Sequence, residues 1–575
     1  MTQKKQGRRD TMMRRMILVT AAAFLFCALP AAAQAQDPTL VYETTIPGYY
    51  LASGRGLAVD DAGNAYMFGR FIGDQDQNHF FVGKLDAEGD VVWTKSVTGE
   101  DHDVATGIHV ADGKVYLTGW TDSADFPTTA DALYPSQIHF RDAFLMIFGA
   151  ADGKVLYSTY FGGDYTDHGN GVAVNAAGEI VLVGSTWSTD FPTVDPLQAE
   201  NGSYPYDSSD AFITRLSADG QEILYSTYYG GSSDDDVQGM ALDEDGNVYF
   251  AGTTLSNDYP LMNPYQPSRI GGRDGFITKI SADGSAVDFS TYLGGEDLEL
   301  MGGIALDAAN HVYVGGSTRS ITFPTTPGSF QEEFVGEIDG CEVPFGGDYN
   351  CDDMFAAKLS ADGSSLVYST FIGGHRIDQS RDLAVNSAGE AYLVGYTFSD
   401  DFPPDGIDSS GEIVVAKLNA AGSDLVYSHT VDSGSANAGH GIAVDASGDV
   451  TFTGAVNVPA DFYVARLTEP GTAGVGDGIA GSRLRLGPGR PNPFRGSTQV
   501  AYTLGGERAA PVHLGVYDAA GRLVRTLVDG TRAPGRHTAA WNGTDEAGTP
   551  LSAGVYFYRL QTNGENRTGR VLLVK

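Results

Sequence analysis

The sequence predicts an all-β chain in which a closed seven-bladed β-propeller is followed by a small immunoglobulin-like β-sandwich. A strand phrase of the general form Gly-Ile-Ala-Val-Asp returns along the chain, and each copy is followed by a turn and a second strand resembling Val-Tyr-Val-x-Gly. A partner hairpin accompanies each copy, so one repeat predicts a four-stranded unit. The seven copies begin at Gly56, Gly107, Gly171, Gly239, Gly303, Asp382 and Gly441.

We name the four strands of a unit a, b, c and d in chain order. Strand a is predicted to be innermost, because a glycine at its start permits close approach of neighbouring strands. The turn from a to b ends in Gly, or in Asn at position 310, and these residues tolerate a positive φ best. The same Asp-rich turns resemble fragments of calcium loops, but the further acidic ligands that such a loop needs at set spacing are absent.

The count of d strands predicts how the propeller closes. The first d strand, residues 41–47, precedes every a strand, and the last c strand, residues 461–467, has no d strand after it. In a ring, the N-terminal strand would complete the last sheet and remove its exposed edge. An open solenoid is the alternative, but it would need capping units that the sequence lacks.

Three motifs recur at fixed places in the units: Asp-Phe-Pro-Thr-Thr after strand b, Asp-x-Phe-Val-x-Lys-Leu-Ser-Ala-Asp-Gly along strand c, and Tyr-Ser-Thr-Tyr-Leu-Gly-Gly along strand d. With these motifs, nearly all of residues 38–467 resembles the bacterial seven-bladed β-propeller repeat family often labelled SBBP. The first and last units depart from it, because residues 71–80 and 456–461 lack the Asp-Phe-Pro motif. The resemblance implies a secreted or surface-associated scaffold without catalytic activity.

Residues 1–35 have the layout of a secretory signal peptide. A basic stretch is followed by an apolar run over residues 16–30 and by Ala33-Gln34-Ala35, after which cleavage is expected. The run is shorter than the roughly 20 residues of a membrane-spanning helix. We therefore expect an exported mature chain without a transmembrane segment, with the propeller over residues 37–467.

The formal net charge of −37 excludes some partners. A polyanion of this size repels nucleic acid and anionic membranes, whereas calcium, cationic partners or a salty habitat would suit it. An acidic surface without a specific ligand is equally compatible. Cys341 and Cys351 lie close together in one insert and are predicted to form a local disulfide, since two thiols alone do not supply the four ligands of a structural metal site.

The d-to-a crossovers and the long b-to-c loops are predicted to share one face, which is the candidate binding surface. Acids at one register of the crossovers would ring the mouth of the central channel and bind a cation such as calcium; the alternative is that each acid caps its own crossover. Tyrosines outside the repeat pattern are predicted ligand contacts. The acids are Asp103, Asp167, Asp235, Glu299 and Asp378, and the tyrosines are Tyr134, Tyr204, Tyr206 and Tyr265. The rings of the Asp-Phe-Pro motifs are predicted to pack between units rather than to form sugar platforms.

No catalytic motif is present: the chain has no H-E-x-x-H and no G-x-S-x-G. The sequence therefore favours a non-enzymatic scaffold that requires no cofactor and binds an extracellular protein, a glycan or a cation. Because residues from distant units can meet at a propeller channel, a glycosidase or lyase acting on extracellular polysaccharide is the alternative. A purely structural surface-layer component is a third possibility.

Residues 468–482 are rich in Gly and predict a flexible linker, and residues 483–575 predict the β-sandwich from short alternating strands between Gly and Asn/Asp turns. The tail resembles the type A C-terminal sorting domain of the type IX secretion system, from Pro491-Asn-Pro-Phe494 to the closing Arg-Val-Leu-Leu-Val-Lys575. The resemblance implies export to the periplasm, interaction with the type IX machinery and a final location outside the cell or on its surface.

Overall fold

The computed structural model describes residues 38–46, 56–72, 77–203, 208–337, 351–403, 412–431, 438–456, 461–468, 485–490, 494–504, 508–518, 521–533, 535–562 and 565–574. All regular structure in these residues is β-strand. The chain divides into two compact units, Met1–Glu469 and Pro470–Lys575. None of the described residues belongs to a helix long and apolar enough to cross a bilayer.

The first unit contains seven antiparallel four-stranded sheets within the described residues. Six of them follow chain order, and the seventh has the order β1-β28-β27-β26. The strands are β1 (Thr39–Ile46); sheet 1, β2 (Gly56–Val59), β3 (Ala65–Ile72), β4 (Asn78–Leu85), β5 (Val91–Val97); sheet 2, β6 (Asp103–Ala111), β7 (Lys114–Thr121), β8 (Asp142–Gly149), β9 (Val155–Phe161); sheet 3, β10 (Asp167–Val174), β11 (Ile180–Thr186), β12 (Asp210–Leu216), β13 (Ile223–Tyr229); sheet 4, β14 (Asp235–Leu242), β15 (Val248–Thr254), β16 (Asp274–Ile280), β17 (Val287–Leu293); sheet 5, β18 (Glu299–Leu306), β19 (Val312–Thr318), β20 (Asp353–Leu359), β21 (Leu366–Ile372); sheet 6, β22 (Asp378–Val385), β23 (Ala391–Thr397), β24 (Glu412–Leu418), β25 (Leu425–Val431); and, with β1, sheet 7, β26 (Ala438–Val444), β27 (Val450–Val456), β28 (Asp461–Thr468).

The predicted pairing of the N-terminal strand with the last c strand is confirmed. Leu40 lies opposite Leu467 and Ile46 opposite Phe462, so β1 is the outer strand of sheet 7. The inner strands β2, β6, β10, β14, β18, β22 and β26 contact one another in that order, and β2 also contacts β26.

The hydrophobic core lies between neighbouring sheets. One buried cluster joins Tyr42 and Phe462 of sheet 7 to Met67 and Phe81 of sheet 1, and similar clusters fill the spaces between the other sheets. The turn prediction is also confirmed. Asn310 has a φ of 60°, and the glycines at the same turn position in other sheets also have a positive φ. Asn therefore replaces Gly there without losing the left-handed conformation.

The predicted inner strands begin too late. Strand β10 starts at Asp167, four residues before the predicted start at Gly171, and the other inner strands from β6 to β26 also begin upstream of the repeated phrase. The cause is a β-bulge at one shared position, for example between Gly169 and Gly171. A bulge shifts the alternation of side chains by one residue, so the part of the strand upstream of the bulge does not continue the period-two pattern of the repeated phrase.

The second unit has two sheets, ordered β29-β30-β33 and β32-β31-β34-β35. Val500 and Trp541 of the first sheet share a buried core with Leu514 and Tyr558 of the second, which makes a small sandwich. Its strands are β29 (Arg485–Arg490), β30 (Thr498–Leu504), β31 (Ala510–Tyr517), β32 (Leu523–Arg532), β33 (Gly535–Trp541), β34 (Gly554–Thr562) and β35 (Glu565–Leu573).

Candidate functional site

The crossovers and the b-to-c loops do lie on one face. In sheet 3, Asp167 at the start of the a strand pairs with Thr186 at the end of b, which pairs with Asp210 at the start of c. Strands a and c therefore begin, and strand b ends, at the same edge of the sheet. We call this edge of the first unit the loop face.

The five predicted cation-binding acids are not on the crossovers. Each is the first residue of an inner strand, and each is completely buried: Asp103, Asp167, Asp235, Glu299 and Asp378 have no exposed surface. The prediction that they lie on the crossovers as an exposed ring at the mouth of the central channel is therefore wrong, because the strands extend upstream of the repeated phrase and carry these residues into the protein. That they bind a cation stays a prediction.

The buried acids hold the crossovers in place, which is the alternative that the sequence left open. Oδ2 of Asp167 accepts hydrogen bonds from the N–H of Gly163 at 2.7 Å and from the hydroxyl of Ser188 at 2.9 Å. Asp235 and Asp378 make the same two bonds in their own sheets. Burial raises the pKa of these three aspartates to about 7, even though the hydrogen bonds act in the opposite direction.

The Asp-Phe-Pro motifs also serve the crossovers. Oδ1 of Asp190 accepts the N–H of Asp164 at 2.6 Å, and the same bond recurs from Asp125, Asp258 and Asp401. The aromatic residue that follows is buried in all five copies, as predicted: Phe126, Phe191, Tyr259, Phe323 and Phe402. Packing, not ligand contact, is therefore the role of these rings.

We expect Phe191→Ala to destabilise the first unit by about 3–5 kcal/mol, because removal of a buried ring leaves a cavity. The Phe191 ring lies with its centroid 4.4 Å from that of Phe212 and 5.3 Å from that of Phe161. Urea denaturation monitored by circular dichroism measures the change, with Phe191→Leu as the milder control. A variant of unchanged stability would show that the ring is not part of the core.

A cluster of partly exposed side chains lies on the loop face where sheets 2 and 3 meet. We call Trp120, Asp122, Arg141, His168 and Trp187 the Trp–His cluster. The Arg141 guanidinium carbon is 3.9 Å from the centroid of the Trp120 ring, and Nε and Nη2 of Arg141 donate to the two carboxylate oxygens of Asp122 at 2.6 and 2.8 Å. This bidentate pair fixes the guanidinium plane over the indole.

The histidine of the Trp–His cluster joins its two indoles. The His168 ring stacks on Trp120 with centroids 5.5 Å apart and meets Trp187 edge-on at 5.3 Å. Burial, together with the positive charge of Arg141, lowers the pKa of His168 to about 4. The imidazole is therefore neutral at pH 7, and its Nε2, 3.4 Å from Nη1 of Arg141, can accept a hydrogen bond from it.

Exposed apolar side chains flank the Trp–His cluster. Arg141 forms a parallel bridge with Thr166, which brings the loop before Arg141 beside the crossover that contains Tyr165. On these two segments Phe140 is 69% exposed, Tyr165 51% and Ile138 41%. Large apolar groups side by side on a surface mark binding sites more often than single ones do.

Where sheets 5 and 6 meet, the positions that correspond to those of the Trp–His cluster hold different residues. Asp352 accepts bonds from Nε of Arg319 at 2.7 Å and from Nε2 of Gln379 at 2.6 Å, and Tyr396 donates to Oε1 of Gln379 at 2.6 Å. Each of these residues, like each member of the Trp–His cluster, is next in sequence either to a repeated acid or to the threonine that pairs with that acid at the end of strand b. The signal that could have found them is variation at positions flanking a repeated residue, which the sequence prediction overlooked.

The other predicted contacts lie elsewhere. Tyr134 is partly buried, with its ring edge-on to Phe161 at 5.8 Å, and Tyr265 is partly buried against the core between sheets 4 and 5. Tyr204 and Tyr206 lie outside the described residues. Cys341 also lies outside them, whereas Cys351 is buried and disulfide-bonded.

One group in the described residues brings three possible metal ligands within 4.8 Å of one another: His375, Asp400 and Asp401. Nδ1 of His375 is 2.7 Å from Oδ1 of Asp401, and this hydrogen bond raises the pKa of the histidine. Asp400 and Asp401 are exposed, and Oδ1 of Asp401 also accepts the N–H of His375. The arrangement serves the crossover in the way that the other Asp-Phe-Pro aspartates do.

Two segments of the chain match known families. Residues 224–260 match the Beta-propeller repeat family SBBP, and residues 492–565 match the FlgD Ig-like domain. Over 344 residues the chain is 27% identical to the regulatory protein FlaEY of Caulobacter vibrioides, a stretch that covers 55% of this chain and 34% of FlaEY. Most of that relative therefore lies outside the match.

Similar solved structures are more distant. PorZ, an essential bacterial surface component of the type IX secretion system of Porphyromonas gingivalis, is 12% identical with a TM-score of 0.34, and the match covers 91% of this chain and 70% of PorZ. A fungal alcohol oxidase of the AA5 family is 11% identical with a TM-score of 0.40, covering 94% of this chain and 100% of the oxidase. Similarity at this level transfers no function.

Proposed function

We propose that this protein is an exported, non-enzymatic propeller that binds a neutral extracellular glycan at the Trp–His cluster. Sugars are recognised by aromatic faces that cover their apolar side and by planar polar groups that bond their hydroxyls. The Trp–His cluster combines two indoles with a fixed Arg141–Asp122 pair, and exposed Phe140 and Tyr165 widen it. This cluster is the observation that carries the proposal, and the net charge of −37 disfavours anionic polysaccharides.

The proposed scaffold is a closed ring of seven blades. Two contacts support closure: β1 supplies the outer strand of sheet 7, and β2 touches both β6 and β26. A closed ring holds its loops on a rigid base, which lowers the entropy lost when they bind a ligand.

The tail is proposed to deliver the propeller through the type IX secretion system to the cell surface or the medium. The match of residues 492–565 to an FlgD Ig-like domain supports a separate β-sandwich, and the resemblance to a type A sorting domain suggests its role. Antibodies raised separately against the propeller and the tail test this role. Loss of the tail from the secreted protein is expected, and its persistence would contradict the proposal.

The binding proposal is tested with the chain from residue 37 onward on an array of neutral polysaccharides. We expect retention without release of soluble product, and a Trp187→Ala variant should bind at least about tenfold more weakly, as loss of a central aromatic contact usually does. Phe140→Ala and Tyr165→Ala should weaken binding less, because both side chains lie at the edge of the cluster.

The matched control is Phe557→Ala, which removes a partly exposed ring from the tail and should leave retention unchanged. Thermal melting of each variant separates loss of binding from loss of the fold. Release of product would instead support the glycosidase or lyase alternative, and equal retention by wild type and Trp187→Ala would place any binding site elsewhere.

A further inference from the structure

Four contacts between neighbouring sheets each bring two buried carboxyl groups together. In each contact, the first residue of an inner strand is an acid, and its backbone N–H donates to a backbone carbonyl of the preceding sheet. The residue that supplies this carbonyl comes just before the first residue of the c strand, which is also an acid. In the joint between sheets 3 and 4, Asp235 N–H donates to Ser209 at 2.8 Å, beside Asp210. The four pairs are Asp142 with Asp167, Asp210 with Asp235, Asp274 with Glu299, and Asp353 with Asp378, and none of the eight has exposed surface.

The two carboxyl groups of each pair face the same crossover glycine. A Cβ added at Gly230 would lie 2.7 Å from Oδ1 of Asp210 and 2.8 Å from Oδ2 of Asp235. Oδ1 of Asp210 and Oδ2 of Asp235 are therefore no farther apart than the sum of these two distances. The other pairs lie in the same way against Gly162, Gly294 and Gly373.

Each pair contains at least one buried carboxyl oxygen that has no hydrogen-bond partner within the described residues. These oxygens are Oδ1 of Asp142, Asp167, Asp210, Asp235, Asp353 and Asp378 and Oε2 of Glu299. Oδ2 of Asp210 is satisfied by the N–H of Gly202 at 2.7 Å and by Nε2 of Gln198 at 2.8 Å. Oδ1 of Asp210 is the oxygen that lies against Gly230 together with Asp235, so a hydrogen placed there would satisfy it.

The joint between sheets 1 and 2 has a histidine where these four joints have the second acid. His79 occupies the place of the c-strand acid, and its Nδ1 lies 3.3 Å from Oδ2 of Asp103. A ring nitrogen that carries hydrogen can donate to the carboxylate. Where an aspartate replaces this histidine, only a proton on one of the two carboxyl groups can play the same part.

We propose that each of the four carboxyl pairs holds one proton at neutral pH, so that the loop-face crossovers are held in place in acidic and neutral solution and loosen as the pH rises. Two ionised carboxylates this close in a buried site repel each other strongly, and a proton removes the repulsion and supplies the missing donor.

The direction of the pH effect follows from the native-state protonation. Burial, with a smaller contribution from the charge of Asp235, raises the pKa of Asp210 to about 8 although the hydrogen bond from Gly202 acts in the opposite direction, and burial raises the pKa of Asp235 to about 7. In the unfolded chain both groups have the ordinary value of 3.8. The native state therefore binds more protons between these limits, so the stability of the first unit should fall as the pH rises from about 4 to about 8 and should level off above that.

The neighbours of the Asp210–Asp235 pair do not neutralise it. Asp236 and Asp258 add negative charge, and Tyr228 and Tyr259 are neutral hydroxyls that remain so, because burial raises their pKa well above that of a free tyrosine. The guanidinium of Arg273 is paired with Asp236 at 3.6 Å. At the other joints the facing charged groups are His139 beside Asp142, Arg269 beside Asp274, and Asp352 and Asp401 beside Asp353 and Asp378.

The test is denaturation of the wild-type chain from residue 37 onward at closely spaced pH values from 5 to 9, in buffer that contains a chelator. We expect the folding equilibrium constant to fall by about tenfold per pH unit for each proton that the protein releases when it unfolds. Asp210→Asn, which supplies a permanent N–H donor, should reduce this slope by about one proton. Asp219→Asn changes an exposed turn acid of the same sheet and should leave the slope as it is.

A second measurement keeps the proposal falsifiable if Asp210→Asn fails to fold. Infrared spectra of the native wild-type protein should show the C=O band of buried protonated carboxyl groups at pH 6, and this band should decline towards pH 9. Absence of the band at pH 6, or a stability that does not change between pH 6 and pH 9, would overturn the proposal. A stability that disappears with the chelator at every pH would also overturn it, because a cation would then occupy the place assigned to the proton.

Discussion

A chain that lacks residues 1–47 should not fold into a stable propeller, whereas a chain that begins at residue 37 should. Strand β1 is the outer strand of sheet 7, and its removal leaves the edge of β28 without hydrogen-bond partners. It also takes Tyr42 and Ile46 out of the core that they share with Phe462 and Met67. Each such side chain contributes roughly 1.5–3 kcal/mol through burial.

The total loss for the shortened chain is comparable to the stability of a typical domain, about 5–15 kcal/mol. Calorimetry should therefore show no cooperative transition for the first unit. A synthetic peptide of residues 37–47 added to the shortened chain provides the control, because it can pair with β28 and should restore part of the transition. A shortened chain with an unchanged melting temperature would contradict the proposed closure of the ring.

The second large effect is expected for Gly252→Ala in strand β15. A Cβ at this position would lie 2.0 Å from the backbone oxygen of Asp236 and 2.6 Å from the ring of Phe276. Backbone atoms of the inner strand cannot move aside cheaply, since that strand also packs against the next sheet. We expect a loss of about 3 kcal/mol or more in the free energy of unfolding, measured by urea denaturation.

Gly239→Ala in the same sheet is the matched control. The nearest atom to a Cβ there is a side-chain carbon of Ile304 at 3.5 Å, which is ordinary van der Waals contact. Its stability should change by less than about 1 kcal/mol. Similar losses at both positions would show that the loss at Gly252 does not come from the close approach of β15 to the inner strand.

Features with a local cause could be predicted from sequence. The outer strands Val155–Phe161 and Ile223–Tyr229 contain the Tyr-Ser-Thr-Tyr motif that predicted strand d, because a run of alternating residues between turns defines them. The turn at Asn310 was predicted for the same reason, since Gly and Asn are among the residues that tolerate the left-handed conformation best. The buried role of Phe191 followed from its regular place in the repeat.

The sites depend on contacts that no local pattern encodes. Asp167 and Asp142 belong to different sheets, and their pairing depends on a backbone bond between Asp167 and Arg141. The Trp–His cluster likewise joins Trp120 and Arg141 of one sheet to His168 and Trp187 of the next. In the sequence these residues are single departures from the repeat, without a signal of their own.

The sequence by itself determined the repeat, the strand count, the turn chemistry and the pairing of β1 with β28, since all of these follow from side-chain period and from which strand lacks a partner. Only the tertiary structure decided that Asp103, Asp167, Asp235, Glu299 and Asp378 are buried and that residues next to them, such as His168 and Asp236, are partly exposed on the loop face. The physical reason is the β-bulge in the inner strands, which moves the side chains upstream of it by one position and so exchanges the buried and the exposed sides.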